Sequence, residues 1–436
     1  MSINIIGGGL AGCEAAYQVA KRGIKVNLYD MKPNKKSPAH HSDKLCELVC
    51  SNSLKAARKE SAAGMLKEEM RMLDSLLMKC ADKSKVPAGG ALAVDREIFS
   101  NLVNDEINNN PNITVINEEV TEIPDGITII ASGPLTSDLL SDKIKTMFGD
   151  SLSFFDAAAP IVKFDTVDMN KAFFASRYDK GDGDDYINCP MNKEEYDNFY
   201  EELVSAERAP VHDFDVMNPK VYEGCMPIEV MAQRGHDTIR FGPMKPVGLK
   251  DPRTGHRPWA VVQLRKENSA GIMYNLVGFQ TNLKFPEQKR VFSMIPGLEN
   301  AEFVRYGVMH RNTFIDSPRI LNSDYSVREN KNLFFAGQIT GVEGYMESAS
   351  SGLMAGINAA MRYIGEQTVT LPEYTMIGSL SRYISDETVS KFQPMGANLG
   401  VLPELEQRPR DKKERAKAYS DRSFAKLTEF INSRGL

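Results

Sequence analysis

The sequence predicts an α/β fold: a discontinuous Rossmann-like nucleotide-binding domain with a β-rich or α+β domain inserted between its halves. Three observations carry this expectation. Residues 3–30 read as strand, glycine turn, helix and strand. Residues 333–362 read as a buried strand, a second glycine turn and a small-residue helix. Between them the texture changes to short strand-like runs punctuated by Gly and Pro. A length of 436 residues suits two large units or three ordinary ones.

The first element is the β-branched run Ile3-Asn4-Ile5-Ile6, followed by Gly7-Gly8-Gly9-Leu10-Ala11-Gly12, which opens a helical pattern that Gly23 can end. A second strand, from Lys25 to Tyr29, runs into Asp30, 18 positions after Gly12. In this pattern Gly7 allows a tight turn, and Gly9 lets a pyrophosphate approach the backbone. Gly12 lets the helix press on the sheet, while free N–H groups at the helix start hold phosphate. Asp30 would accept hydrogen bonds from ribose hydroxyls. This fingerprint does not choose between FAD and NAD. The late segment Leu333-Phe334-Phe335-Ala336-Gly337-Gln338, with Gly341 and Tyr345 beyond it, favours FAD. FAD proteins commonly return late in the chain with a strand, a glycine and a helix facing the flavin. Gln338 stands where Asp is usual. The expected division is an FAD-binding part over 1–160, an inserted substrate-side domain over 161–310, and a second FAD-binding part over 311–436 ending in a basic tail.

The intervening elements are read in order. Lys32 to Ser42 is a polar loop whose adjacent His40 and His41 lack the companions of a metal site, so no metal is expected. Ser61 to Lys79 has helical periodicity, with Met65, Leu66, Met70, Leu73 and Leu77 on one face. Ile127 to Pro134 is a strand returning to the sheet. Asn192 to Ala206 is an acidic helix, and the tail from Arg408 to Arg422 is dense in Lys and Arg.

Composition excludes several classes. Hydrophobic residues make up 42% and charged residues 25%, an ordinary globular balance. The net charge of −5 gives no overall positive field, although a local basic surface can still meet RNA. No run approaches the ~18 apolar residues of a membrane span, and the N-terminus lacks a secretory pattern. Six cysteines without a CxxC pair point to a reducing cytoplasm rather than a disulfide scaffold.

Two cysteines stand apart. Cys50 lies in Glu47-Leu48-Val49-Cys50-Ser51-Asn52-Ser53, where Ser51, Asn52 or Ser53 can cap a following helix. A thiol at a helix start, with Lys55 and Arg58 close in sequence, has reason to ionise. Cys225 lies in Glu223-Gly224-Cys225-Met226-Pro227, a turn suited to presenting a side chain in a cleft. Free cysteines are more often small buried hydrophobes, and residue type alone leaves both readings open.

The segments GGGLAG, CELVCSNSLK, VPAGGALAVDR, YEGCMPIEVMA, His310-Arg311-Asn312-Thr313, LFFAGQITGVEGYMESASSG and FQPMGANLG together resemble the folate- and FAD-dependent tRNA uracil-5 methyltransferases of bacteria. The likeness runs from Gly7 to about Leu402. It implies FAD as cofactor, with methylenetetrahydrofolate and NADH or NADPH as co-substrates. The implied substrate is tRNA, whose T-loop uridine (U54) becomes 5-methyluridine. It also implies two catalytic thiols, matching Cys50 and Cys225: Cys225 as nucleophile at C6 of uracil, Cys50 as a thiol near the flavin. Asp30 stands where the family often has Glu, which keeps the carboxylate. The same chemistry on ribosomal RNA, or a small-molecule FAD oxidoreductase, are the rival readings. Neither DNA nor a membrane is an expected partner, and the oligomeric state is left open.

Overall fold

The computed structural model describes residues 2–37, 39–149, 152–179, 184–209, 226–390 and 392–435. Its central sheet is parallel, in the order Leu333–Phe335, Thr128–Ile130, Ser2–Ile6, Lys25–Asp30, Ile113–Asn117. Chain ends more than 300 residues apart therefore share one sheet, with Phe334 opposite Ile129 and Ile5 opposite Leu28. The strands are apolar because both faces are covered: Ile3, Ile5, Leu28, Ile129, Phe334 and Phe335 are buried.

Helices Leu10–Lys21 and Tyr345–Tyr363 cross on this sheet with their backbones almost touching. A Cβ on Gly352 would stand 2.1 Å from the carbonyl oxygen of Ala11, so small residues here determine how the two halves meet. The second helix begins at Tyr345, because Gly344 lets the chain turn straight into it. The pattern read as one helix over 61–79 is two, Ala62–Met72 and Leu76–Lys83. Buried Glu14 breaks it: its carboxylate accepts from Ser75 Oγ and from the backbone N–H groups of Leu76 and Leu77. A second helix start thereby becomes more favourable than continuing the first.

A six-stranded antiparallel sheet contains Phe173–Phe174, Tyr186–Met191, Ala260–Lys266, Met273–Leu276, Ile161–Lys163 and Phe303–Arg305, in that spatial order. It packs against helices Lys193–Ser205, Ile228–Gln233 and Phe285–Phe292 around its own core of Tyr196, Phe199, Phe279 and Phe292. The acidic helix starts with a capping box between Asn192 and Glu195. A two-stranded ribbon, Leu152–Ala157 with Met309–Phe314, connects this sheet to the parallel one. The basic tail forms the helix Lys412–Arg434, which is anchored by Ser423 donating to buried Glu69 at 2.6 Å.

Candidate active site

One large cavity, about 1190 Å³ including its mouth, opens over the carboxyl ends of the parallel strands. Ligands bind at this end in such sheets. Gly7, Gly8, Gly9, Leu10 and Ala11 form its floor, and Asp30, Cys50, Gly337, Gln338 and Tyr345 also line it. Gly12 and Gly341 do not. Gly12 packs inside the turn, where a Cβ would stand 1.8 Å from the oxygen of Gly7, and Gly341 lies under the ring of Phe392.

The glycine turn fits a dinucleotide. Gly7 has φ +109°, a left-handed value that makes the turn tight, and nothing lies within 4 Å of a Cβ placed on Gly9. No side chain caps the following helix at Gly9, so its first N–H groups are open to an anion. Asp30 accepts from the backbone N–H groups of Gly8 and Lys32, both at 2.8 Å, and is 9% exposed. Each oxygen keeps a lone pair for a ribose hydroxyl. Gln338 is less available, because its amide donates to Glu343 at 2.6 Å. We expect Gly12→Ala to push the helix off the turn and weaken FAD retention at least about tenfold. Flavin released on dilution, followed by fluorescence, measures it.

Cys50 reaches this cavity by a different route from the one its sequence suggests. No helix follows it: the chain continues as the strand Ser53–Ala56, and the next helix is capped by Ser61. Asn52 caps nothing because tertiary partners claim it. Its amide donates to the carbonyls of Val94 and Lys266 and accepts from Arg265 Nε at 3.0 Å. Lys55 is paired with buried Glu347 at 2.7 Å. The cations beside the Cys50 loop are instead Arg96, donating to Leu48 O at 2.7 Å, and Arg305, donating to Val49 O at 2.7 Å. A single carboxylate, Glu267, pairs with Arg96 at 2.7 Å.

Tyr345 completes the arrangement. Its phenol oxygen accepts from the backbone N–H groups of Cys50 at 2.8 Å and Ser51 at 3.2 Å. With those lone pairs engaged, the hydroxyl proton is left for Cys50 Sγ, 3.0 Å away. Burial, and then the nearby Cys50, push the phenol well above its ordinary range, so it remains a donor. Arg96, Arg305 and the Tyr345–sulfur contact escaped sequence reading, since each depends on residues far apart in the chain. Of the other cysteines, Cys13, Cys46, Cys80 and Cys189 are buried, and burial drives Cys80 and Cys189 up to about 12. Cys225 lies outside the described residues. The structure describes Met226 and Pro227, which lead into the helix Ile228–Gln233.

Fold and cavity together define a flavoprotein-type dinucleotide fold in which a thiol shares the ligand cavity with the glycine turn. The family model for glucose inhibited division protein A matches residues 2–367. A methylenetetrahydrofolate–tRNA-(uracil-5-)-methyltransferase TrmFO of Acetivibrio thermocellus is 61% identical over 432 residues, covering 99% of this chain and 98% of that protein. One of the same name from Lysinibacillus sphaericus is 57% identical with the same coverage. The chain belongs to this family, the methylenetetrahydrofolate–tRNA-(uracil-5-)-methyltransferases within the glucose inhibited division protein A group. Among solved structures, Aquifex aeolicus GidA matches with TM-score 0.71 at 17% identity, over 99% of this chain and 73% of that one, which shows a shared fold. No helix among the described residues is long and apolar enough to cross a membrane.

Proposed function

We propose that this protein methylates C5 of the T-loop uridine of tRNA in the cytoplasm. The one-carbon unit comes from methylenetetrahydrofolate, and the reducing equivalents come from NADH or NADPH through bound FAD. The observation that carries this reading is the meeting of Cys50 with the glycine turn in one cavity, in a chain 61% identical to a named methyltransferase of that kind.

C5 of uracil is a poor nucleophile in a conjugated ring. A thiolate that adds to C6 converts the ring to an enolate with carbanion character at C5. C5 then bonds to the methylene carbon, whose two bonds to folate nitrogens break to release tetrahydrofolate, the C5 proton leaves, and the sulfur–C6 bond breaks to restore the ring. We assign the addition to Cys225, and to Cys50 the handling of the one-carbon unit or of the departing proton. FAD, when bound, supplies the hydride that takes carbon at the formaldehyde level to methyl. Gly7 to Ala11 and Asp30 hold the cofactor. Tyr345 and Arg96 face the Cys50 loop, one with its hydroxyl on the sulfur, the other with its charge on the carbonyl of Leu48.

The test is incubation with unmodified tRNA, labelled methylenetetrahydrofolate and NADPH, followed by nucleoside analysis. Label in T-loop 5-methyluridine is expected. Label confined to ribosomal RNA, or NADPH consumption without RNA methylation, would replace this reading. A related expectation concerns Tyr345→Phe, which removes the donated proton but keeps the ring. The rate of Cys50 alkylation at fixed neutral pH, followed on its peptide by mass spectrometry, should fall about tenfold.

A further inference from the structure

Asn312 lies on the strand Met309–Phe314 and is 1% exposed. Among the described residues neither Oδ1 nor Nδ2 of its carboxamide has a hydrogen-bond partner, although both atoms are buried. Buried amides are almost always satisfied, so one orphaned at both ends needs an explanation. Its position supplies one. Asn312 lines the large cavity, on a strand tied to the ends of two parallel strands through Thr313 N–H donating to Pro134 O at 3.0 Å and Ile315 N–H donating to Ile339 O at 2.9 Å.

The sheet order tells which part of a ligand it meets. Asp30 ends the strand on one side of Ser2–Ile6, while the strands leading to Pro134 and Ile339 lie on the other. A dinucleotide with its adenosine ribose on Asp30 and its phosphates on the glycine turn therefore directs its other half, the reactive ring, toward Asn312. A carboxamide offers a donor beside an acceptor, which matches a ring carrying N–H beside C=O. Gln338, the other amide lining this cavity, is already engaged by Glu343.

We propose that Asn312 binds the lactam edge of the planar heterocycle in the reactive half of the cavity, with Nδ2 donating to the ring carbonyl and Oδ1 accepting from the ring N–H. Both the isoalloxazine of FAD and the pyrimidine or pterin ring of a substrate carry such an edge. The assignment rests on the proposed function for its choice of ring. Its first measurement needs neither RNA nor folate, so the two can fail separately.

The experiment compares Asn312→Leu and Asn312→Asp with the parent protein. Leu keeps the volume and deletes both polar atoms. Asp loses the donor and turns a negative charge on the carbonyl. If the edge belongs to flavin, both variants release FAD at least about tenfold more readily on dilution, with a shifted visible flavin spectrum. If it belongs to a substrate, FAD retention and spectrum hold, while KM for tRNA or methylenetetrahydrofolate rises about tenfold. In either case FAD-stripped Asn312→Leu melts no lower than stripped parent protein, because the amide has no partner among the described residues to lose. Flavin retention, spectrum and both KM values within twofold of the parent would overturn the proposal. So would a stripped Asn312→Leu protein that melts well below the parent, since the amide would then serve the fold.

Discussion

Cys225→Ala is expected to abolish RNA methylation, with a loss of roughly 10⁴-fold or more, while the protein remains yellow. Without sulfur at C6, C5 stays electron-poor. The flavin should be retained because the residues we assign to hold it, Gly7 to Ala11 and Asp30, belong to the parallel sheet and its glycine turn. The measurement is label transferred from methylenetetrahydrofolate into 5-methyluridine, with bound FAD quantified in the same sample. A variant that methylates at near-normal rate would remove Cys225 from the mechanism.

The second large effect is expected from Cys50→Ala, a loss of about 10²–10³-fold in methylation with flavin reduction by NADPH preserved. The surroundings of Cys50 explain why it can serve. Tyr345 aims a hydroxyl at its sulfur from 3.0 Å. Arg96 and Arg305 hold the carbonyls before it, with the carboxylates of Glu267 and Glu47 nearby. Positive charge and a donated hydrogen bond beside a thiol favour its reactivity. Alanine deletes that sulfur and leaves Tyr345 without its acceptor, while the glycine turn is untouched. If flavin reduction and methylation both survive, Cys50 is a packing residue.

Local patterns carried much of this. The strand, glycine turn and helix at residues 2–21 are written in consecutive residues, because steric crowding at Gly7 and Gly12 acts over a few bonds. The late strand and helix were equally plain from their apolar run and small residues. Misreadings arose wherever a distant group claimed a local signal. Ser51, Asn52 and Ser53 look like helix caps, yet Asn52 is held by Val94, Lys266 and Arg265. The amphipathic run over 61–79 looks continuous, yet Glu14 caps a second helix within it.

The sequence by itself determined the class of fold and the carboxylate that follows the glycine turn. Each of these is a short-range pattern in which residue type and spacing are the whole signal. Only the tertiary structure decided what surrounds Cys50, why Tyr345 turns its hydroxyl toward sulfur, and that Asn312 offers both ends of its amide to a cavity. Those features come from strands and loops tens to hundreds of residues apart. Hydrogen bonding and charge act through space, over a few ångströms that no spacing along the chain encodes.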